Sequence, residues 1–215
     1  MLVGERMTHP VVFVSPKMSI QDALQLMKKE NIRRTPVVEG GKLIGIVSDK
    51  DLLNASPSDA TSLSVWELNY LLSKITVAEV MTGAVITVTE DTPIEEAARI
   101  MSDNKIGGLP VVKDGSVVGI ITETDLFRLL LELTGAREFG VRATFLLEDK
   151  PGELAKVTSA IAENGGNVIA IGTFSGDDQA TREILMKVSG VDDKTITKIL
   201  EDYAIKVKDI RFCCN

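Results

Sequence analysis

The sequence predicts an α/β protein of the α+β type, in which two β-α-β-β-α units precede a βαββαβ domain. The first observation is an internal repeat, because the stretch Gly45–Asp51 returns 74 residues later as Gly119–Asp125. Pro36 and Pro110 are separated by the same 74 residues. The second observation is a change of pattern near residue 135, where the repeat stops. A repeat at a fixed spacing determines the architecture, so it takes precedence over local propensity.

The composition indicates a folded globular chain. Its 215 residues are 44% hydrophobic and 26% charged, which are ordinary values for this class. The net charge of −7 and the pI near 4.9 disfavour nucleic acid, because phosphate neutralisation by Lys and Arg supplies most of that affinity. No apolar run approaches the roughly 18 residues that a membrane helix needs. The N-terminus lacks a signal-peptide layout, so we expect a cytoplasmic protein.

The chain offers little for a metal site or for catalysis. Its two cysteines, Cys213 and Cys214, are adjacent, and its single histidine is His9. We identify neither a glycine-rich phosphate loop nor a nucleophile beside an activating base. We therefore expect no enzyme activity, no metal and no catalytic cofactor.

The first repeat unit begins with a β-branched and aromatic run at 11–14, which predicts a strand. Ser19 is a candidate N-cap for a helix with an apolar face. Apolar runs at 35–38 and 43–47 enclose a Gly-Gly turn and predict a hairpin, followed by a helix over 48–53. An additional amphipathic helix is expected over residues 64–73.

The second unit repeats this order. A strand is predicted at 85–88, and Thr92 followed by Pro93 predicts the start of a helix. Two apolar runs, 109–112 and 117–121, again predict a hairpin, and the helix that follows ends at Gly135. The remaining segment predicts strands at 141–147, 168–174, 183–188 and 205–212, with helices at 152–164 and 192–202.

The two repeat units resemble a tandem pair of CBS domains, or Bateman module. The residues that carry this resemblance are Met7-Thr8 and Met81-Thr82, the Thr-Pro and Leu-Pro motifs at Pro36 and Pro110, and the two stretches that define the repeat. The C-terminal segment resembles an ACT domain, with a ferredoxin-like βαββαβ order and a turn at 149–154. This order of domains resembles the AcuB family, named for acetoin utilisation. The expected domains are CBS 1 at 1–74, CBS 2 at 75–134 and ACT at 139–215.

The spacing Ser48-x-x-Asp51, repeated as Thr122-x-x-Asp125, has two interpretations. From spacing alone it predicts a capping box, in which the hydroxyl caps the helix and the acid lies in the first turn. The CBS resemblance implies that each aspartate binds ribose hydroxyls and that each hydroxyl residue faces the sugar or phosphate. The two interpretations are compatible, since a capped first turn would hold the carboxylate in place.

The resemblance implies an adenine site between the ends of apolar strands, although the same residues could simply pack the core. Arg34, two residues before Pro36, would reach a phosphate, or could be a solvated surface residue. Gly108 at the matching position cannot, so we expect two unequal sites. The implied nucleotide-binding residues are Thr8, Pro10, Val11, Arg34, Pro36, Ser48, Asp51, Thr82, Ala84, Val85, Gly108, Pro110, Thr122 and Asp125.

The ACT resemblance implies an amino-acid site near the turn that opens its first helix. The candidates are Asp149, Pro151, Gly152, Asn164 and Asn167. The alternative is that this domain only mediates dimerisation.

The sequence therefore predicts a non-catalytic regulatory protein. The expected ligand is an adenine nucleotide (AMP, ADP or ATP) or an S-adenosylmethionine-like compound, with an amino acid as a further candidate. A homodimer and a regulated protein partner are expected. The alternatives are an ACT-based amino-acid sensor in which the CBS pair is only a scaffold, and a structural dimeriser without a small ligand.

Overall fold

The structure, a computed structural model, describes residues 1–55 and 73–213. The helix expected at 64–73 lies outside the described residues except for Ser73, and so does Cys214. The chain divides into two compact units, Met1–Leu126 and Phe127–Asn215. Among the described helices, none has the length and apolarity to cross a membrane.

The first unit is built around two β-hairpins. β1 (Arg34–Glu39) pairs antiparallel with β2 (Lys42–Ser48), and β3 (Gly108–Lys113) pairs in the same way with β4 (Ser116–Thr122). Both hairpins were expected from the sequence and are confirmed. The described helices are α1 (Ile20–Lys29), α2 (Asp49–Asn54), α3 (Val77–Val80), α4 (Ile94–Asn104) and α5 (Glu123–Leu133), the last of which runs into the second unit.

Helix α1 shows how local signals and packing cooperate. Ser19 caps the helix as predicted, since its Oγ accepts a hydrogen bond from the Asp22 N–H at 3.1 Å. The apolar face of α1 is buried, with Ile20 and Met27 in the same core cluster as Val37 of β1. In the second repeat, α4 begins at Ile94, so Pro93 rather than Thr92 occupies the cap position.

The strands expected at 11–14 and 85–88 are reduced to single parallel bridges, Val14 to Val37 and Val88 to Val111. Pro36 explains the short ladder, because the next bond toward the N-terminus would need an N–H that proline lacks. The Thr35 hydroxyl instead donates to the Val12 carbonyl at 2.5 Å. Pro110 imposes the same limit in the second repeat.

The segment that precedes each repeat pairs with the hairpin of the other repeat. Thr8 forms an antiparallel bridge with Ile120 of β4, and Thr82 forms the equivalent bridge with Ile46 of β2. The second bridge has hydrogen bonds of 3.0 Å and 2.9 Å in its two directions. The two repeats are therefore interleaved in the first unit, while the boundary predicted at 74/75 remains a prediction.

The second unit is a four-stranded antiparallel sheet with two helices, in the predicted βαββαβ order. The elements of this sheet and its helices are β5 (Gly140–Glu148), α6 (Glu153–Glu163), β6 (Asn167–Ser175), β7 (Thr181–Ser189), α7 (Asp193–Tyr203) and β8 (Lys206–Cys213). The strand order in the sheet is β6-β7-β5-β8.

One face of this sheet forms the core with both helices. Phe145 of β5 and Met186 of β7 are fully buried together with Ile161 of α6 and Leu200 of α7. Lys187, next to Met186 on β7, is also buried, and its Nζ donates to the carbonyl of Gly135 at 2.8 Å. That bond fastens the chain just beyond α5 to the sheet.

The interleaving predicts a stability cost for a small substitution. In Gly45→Ala the new Cβ would lie 2.5 Å from Met81 Sδ and 3.1 Å from the Thr82 carbonyl oxygen. Because overpacking of this kind costs about 1–3 kcal/mol, we expect the free energy of unfolding to fall by that amount. Urea unfolding followed by circular dichroism measures it. Gly83→Ala is the control, since its Cβ would meet nothing closer than 4.0 Å; equal losses in both variants would contradict the prediction.

Candidate functional site

A cleft of about 280 Å³ lies inside the first unit, beside the C-terminal end of β2. Residues of both repeats line it, which follows from the interleaved segments described above. Its lining consists of Arg34, Ile46, Val47, Ser48, Asp51, Thr82, Ala84, Val85, Ile86, Lys105, Ile106, Gly107 and Gly108. The volume is near the lower end of the range for ligand sites, about 300–1,000 Å³.

Ser48 and Asp51 form the capping box that their spacing predicts. Asp51 Oδ2 accepts from the Ser48 backbone N–H at 2.9 Å and from the Ser48 hydroxyl at 2.6 Å. The Asp51 N–H lies 3.2 Å from Ser48 Oγ. Both carboxylate contacts use Oδ2, so the first turn of α2 holds Asp51 at the cleft without engaging Oδ1 in the capping box.

The second repeat contains the same arrangement at the equivalent positions. Asp125 Oδ2 accepts from the Thr122 N–H at 2.9 Å and from the Thr122 hydroxyl at 2.7 Å. Asp125 is buried, whereas Asp51 is partly exposed. Thr122 and Asp125 do not line the cleft of Asp51, so the two aspartates belong to separate places in the unit.

Arg34 connects β1 to the second repeat across the cleft. Its guanidinium nitrogens lie where a Cβ of residue 107 would be, and its Cδ lies 2.9 Å from where a Cβ of residue 108 would be. Burial lowers the pKa of the Arg34 guanidinium below its ordinary value, and the nearby Glu123 carboxylate opposes that shift. Arg34 thus lies in the cleft and is partly desolvated, a setting in which a cation attracts an anion strongly.

The predicted site residues fall into two groups. Seven of them line this cleft together: Arg34, Ser48, Asp51, Thr82, Ala84, Val85 and Gly108. Of the others, Thr8 is bridged to Ile120 of β4, and Pro36 and Pro110 are buried in β1 and β3. The seven predicted residues outside the cleft are Thr8, Pro10, Val11, Pro36, Pro110, Thr122 and Asp125.

Six lining residues were not predicted: Ile46, Val47, Ile86, Lys105, Ile106 and Gly107. Three of them are apolar neighbours of predicted residues along the chain and supply flat walls. Lys105 and Ile106 come from the end of α4, and only the fold brings that helix end to β2. Gly107 directly precedes Gly108, which was predicted, and this adjacency was the available signal for it.

The five candidates in the ACT segment do not form one cluster within this chain. Asp149, Pro151 and Gly152 lie before α6, where the Arg182 Nε donates to Asp149 Oδ2 at 3.0 Å. Asn164 lies at the other end of this 11-residue helix, about 16 Å away. The Asn164 side-chain amide donates to the Ala160 carbonyl at 2.8 Å, and Asn167 begins β6.

Residues 1–55 and 73–213 contain no candidate metal site. No group of three or more His, Cys, Asp and Glu residues in those ranges could hold a metal ion. His9 directly follows Thr8 in the chain and is exposed.

Two family models match the chain. The CBS domain model matches residues 3–58 and 77–132, and the TTHA0829-like ACT domain model matches residues 139–211. The CBS matches together cover more than half of the chain.

Solved structures similar to this chain include CBS pairs with bound adenosyl compounds. The CBS domain pair of protein MJ0100, in complex with 5′-methylthioadenosine and S-adenosyl-L-methionine, is 35% identical; the match covers 60% of this chain and 95% of that one, with a TM-score of 0.51. CBSX2 of Arabidopsis thaliana in complex with AMP is 34% identical, with coverages of 61% and 97% and a TM-score of 0.52. AcuB from Vibrio cholerae is 34% identical, with coverages of 64% and 98% and a TM-score of 0.52.

Among curated relatives, L-aspartate semialdehyde sulfurtransferase of Methanocaldococcus jannaschii is 36% identical over 130 residues. Those residues are 60% of this chain but 23% of that enzyme. The first curated relatives are matched over less than two thirds of their own length. The CBS family model and the structural similarity agree on the first part of the chain, and the ACT model matches the second. The chain belongs to the CBS-domain family as a tandem CBS pair followed by an ACT domain.

Proposed function

We propose that the protein is a non-catalytic regulator that binds an adenine nucleotide or a related adenosyl compound in the cleft of the first unit. The observation that carries this proposal is the presence of Asp51 and Arg34 in one cleft with apolar walls. A carboxylate suits ribose hydroxyls, a guanidinium suits phosphate, and apolar walls suit a purine.

Each part of such a ligand has a matching residue. The Asp51 carboxylate is fixed through Oδ2, so Oδ1 is the oxygen that would accept from a ribose hydroxyl. Val85, Ile86 and Ile106 offer apolar surface to the base. Arg34 lies beside two glycines whose missing side chains leave room for its guanidinium, and it is the cation that would hold the first phosphate.

The relatives support this assignment. One similar CBS pair was solved with 5′-methylthioadenosine and S-adenosyl-L-methionine, and another was solved with AMP. The adenosyl group is common to all three ligands, and this common group is what Asp51 and the apolar walls would recognise.

The repeat predicts a second site at Thr122 and Asp125, of a different kind. Gly108 stands where the first repeat has Arg34, so the second site has no arginine at that position. We propose that it takes an uncharged nucleoside-like ligand or remains empty.

Regulation would require that binding change the conformation beyond the cleft. Helix α5 starts at Glu123, next to Thr122, and the chain just beyond it is tied to β7 by Lys187. A ligand shifts such a system only if it binds one arrangement more tightly than another. We propose that α5 transmits this shift to the ACT domain, where a regulated protein would bind.

We also propose that the protein is a homodimer. Phe127, Leu130 and Leu131 share one face of α5 and are 65%, 51% and 39% exposed. Exposed apolar patches of this kind mark interaction surfaces. We propose a second copy of the chain as the partner that covers this face.

The first prediction concerns Asp51. Asp51→Ala should abolish the thermal stabilisation produced by adenine nucleotides, because it removes the ribose acceptor. For the wild type, a ligand at 100 times its Kd should stabilise the fold by about 2.7 kcal/mol. Thermal shift with AMP, ADP, ATP, S-adenosylmethionine and the common amino acids measures this.

The matched control for that prediction is Asp22→Ala. Asp22 accepts from the Ser19 hydroxyl, and its N–H donates to Ser19 Oγ, as Asp51 does with Ser48, but Asp22 does not line the cleft. Shifts with amino acids alone would instead support sensing by the ACT domain, and no shift with any compound would refute the proposed function.

A second prediction follows from the contact between Arg34 and Gly107. In Gly107→Ala the new Cβ displaces the guanidinium and lies 2.6 Å from Glu123 Oε2. Because a charged hydrogen bond contributes about 1.5–3 kcal/mol, AMP affinity should fall at least about tenfold. Adenosine, which has no phosphate, should bind both proteins equally in isothermal titration calorimetry. Parallel losses for both compounds would show that Arg34 does not contact phosphate.

A third prediction tests the dimer. Leu130→Glu places a charge within the exposed apolar face of α5, and burying that charge in an interface is costly. Sedimentation velocity should show a dimer for the wild type and a monomer for the variant. A monomeric wild type, or a variant that remains dimeric, would contradict this assignment.

A further inference from the structure

Lys105 has a backbone conformation that suits few residues. It ends α4 with φ 54° and ψ 41°, in the left-handed region, and its N–H bonds to the carbonyls of Met101 and Ser102. Glycine and asparagine are the usual residues at such a helix end, because a longer side chain is strained there. The first repeat has Asn31 at the equivalent position, with φ 53°. The first repeat thus has asparagine, a residue suited to the left-handed conformation, where the second repeat has Lys105.

Lys105 also lines the cleft that contains Asp51 and Arg34. A residue kept in an unfavourable conformation at a ligand cleft suggests that its side chain is needed there. The charged residues that line the cleft are Arg34, Lys105 and Asp51, which gives a positive excess in a protein whose net charge is −7. Glu123 does not line the cleft, but its carboxylate lies beside the position of a Cβ on residue 107, as does the Arg34 guanidinium, so it offsets part of the Arg34 charge.

We propose that Lys105 is a second phosphate-binding cation, and that this cleft takes adenine nucleotides in preference to uncharged or positively charged adenosyl compounds. This inference rests on the proposed function and specifies its ligand class. A phosphate monoester carries about −1.5 to −2 charges near neutral pH. 5′-Methylthioadenosine carries no charge, and the sulfonium of S-adenosylmethionine would add a positive charge beside two cations.

The two cations differ in what they contribute. The Arg34 guanidinium is planar and held between β1 and the two glycines, so it suits a defined pair of phosphate oxygens. The Lys105 ammonium is a compact charge on a flexible stem with three donors, and its exposed position at the cleft lets it approach a phosphate from several directions. Together the two cations raise the affinity for negatively charged ligands, whereas Asp51 and the apolar walls would contact the adenosyl group that all these compounds share.

Isothermal titration calorimetry of the full chain with AMP, 5′-methylthioadenosine and S-adenosylmethionine tests this proposal. The wild type should bind AMP at least about tenfold more tightly than either other compound, as expected for a charged hydrogen bond. Lys105→Asn should lower AMP affinity about tenfold and leave 5′-methylthioadenosine affinity unchanged. Its melting temperature should be equal to or above that of the wild type, since asparagine suits the left-handed position.

The control is Lys28→Asn, which removes the same charge from an exposed position in the last turn of α1. It should leave every affinity unchanged. Equal binding of AMP and 5′-methylthioadenosine, or unchanged AMP affinity in Lys105→Asn, would overturn the role of Lys105 while the adenosyl site stands. Binding of none of the three compounds would overturn the proposed function and this inference with it.

Discussion

The first unit depends on two backbone bridges, Thr8 to Ile120 and Thr82 to Ile46. Each bridge attaches the segment before one repeat to the hairpin of the other, so neither repeat is complete by itself. Gly45 and Gly119 make this possible, because Met81 and Met7 lie where their Cβ atoms would be. The cleft is a direct result, since Thr82 and the residues after it form the wall opposite Asp51.

The capping box of Ser48 and Asp51 has both a structural role in α2 and a proposed chemical role in the cleft. A capping box of the kind made by Ser48 and Asp51 stabilises a helix by about 1 kcal/mol, which is modest for a folded protein. The capping box also matters for binding, because it fixes the Asp51 carboxylate at the cleft while the capping bonds occupy only Oδ2. The sequence spacing predicts the capping box, which the structure contains, and the family resemblance implies the ribose contact, which is compatible with it.

Local signals predicted much of the architecture because the interactions behind them are local. The hairpins, the Ser19 cap and the Ser48–Asp51 box involve residues a few positions apart. The predicted strands at 11–14 and 85–88 are longer than the single bridges that the structure contains. Their β-branched residues favour a strand, but the ladder is limited by their distant partners, because Pro36 and Pro110 lack the N–H groups that it needs.

Features that depend on distant partners could not be predicted in this way. Lys105 reaches the cleft through packing of α4 near β2, and no pattern around it marks that destination. The 74-residue spacing likewise does not predict that the segments at Thr8 and Thr82 each pair with the hairpin of the other repeat. The spacing would be the same if each segment paired with its own hairpin. In the ACT domain, the length of α6 places Asn164 far from the turn at Asp149–Gly152, although the sequence analysis assigned these residues to one site.

The arginine of the first repeat and the glycines of the second form a steric pair with a consequence for how the duplicated halves can diverge. The space beside the backbone at 107 and 108 is already filled by Arg34, so a bulky residue cannot be copied there from the first half. Copying the first half onto the second would place side chains in the same volume, and copying the second half onto the first would remove Arg34. The two halves are thus locked into being different, and a homogenised duplicate would have to give up either its packing or its cation.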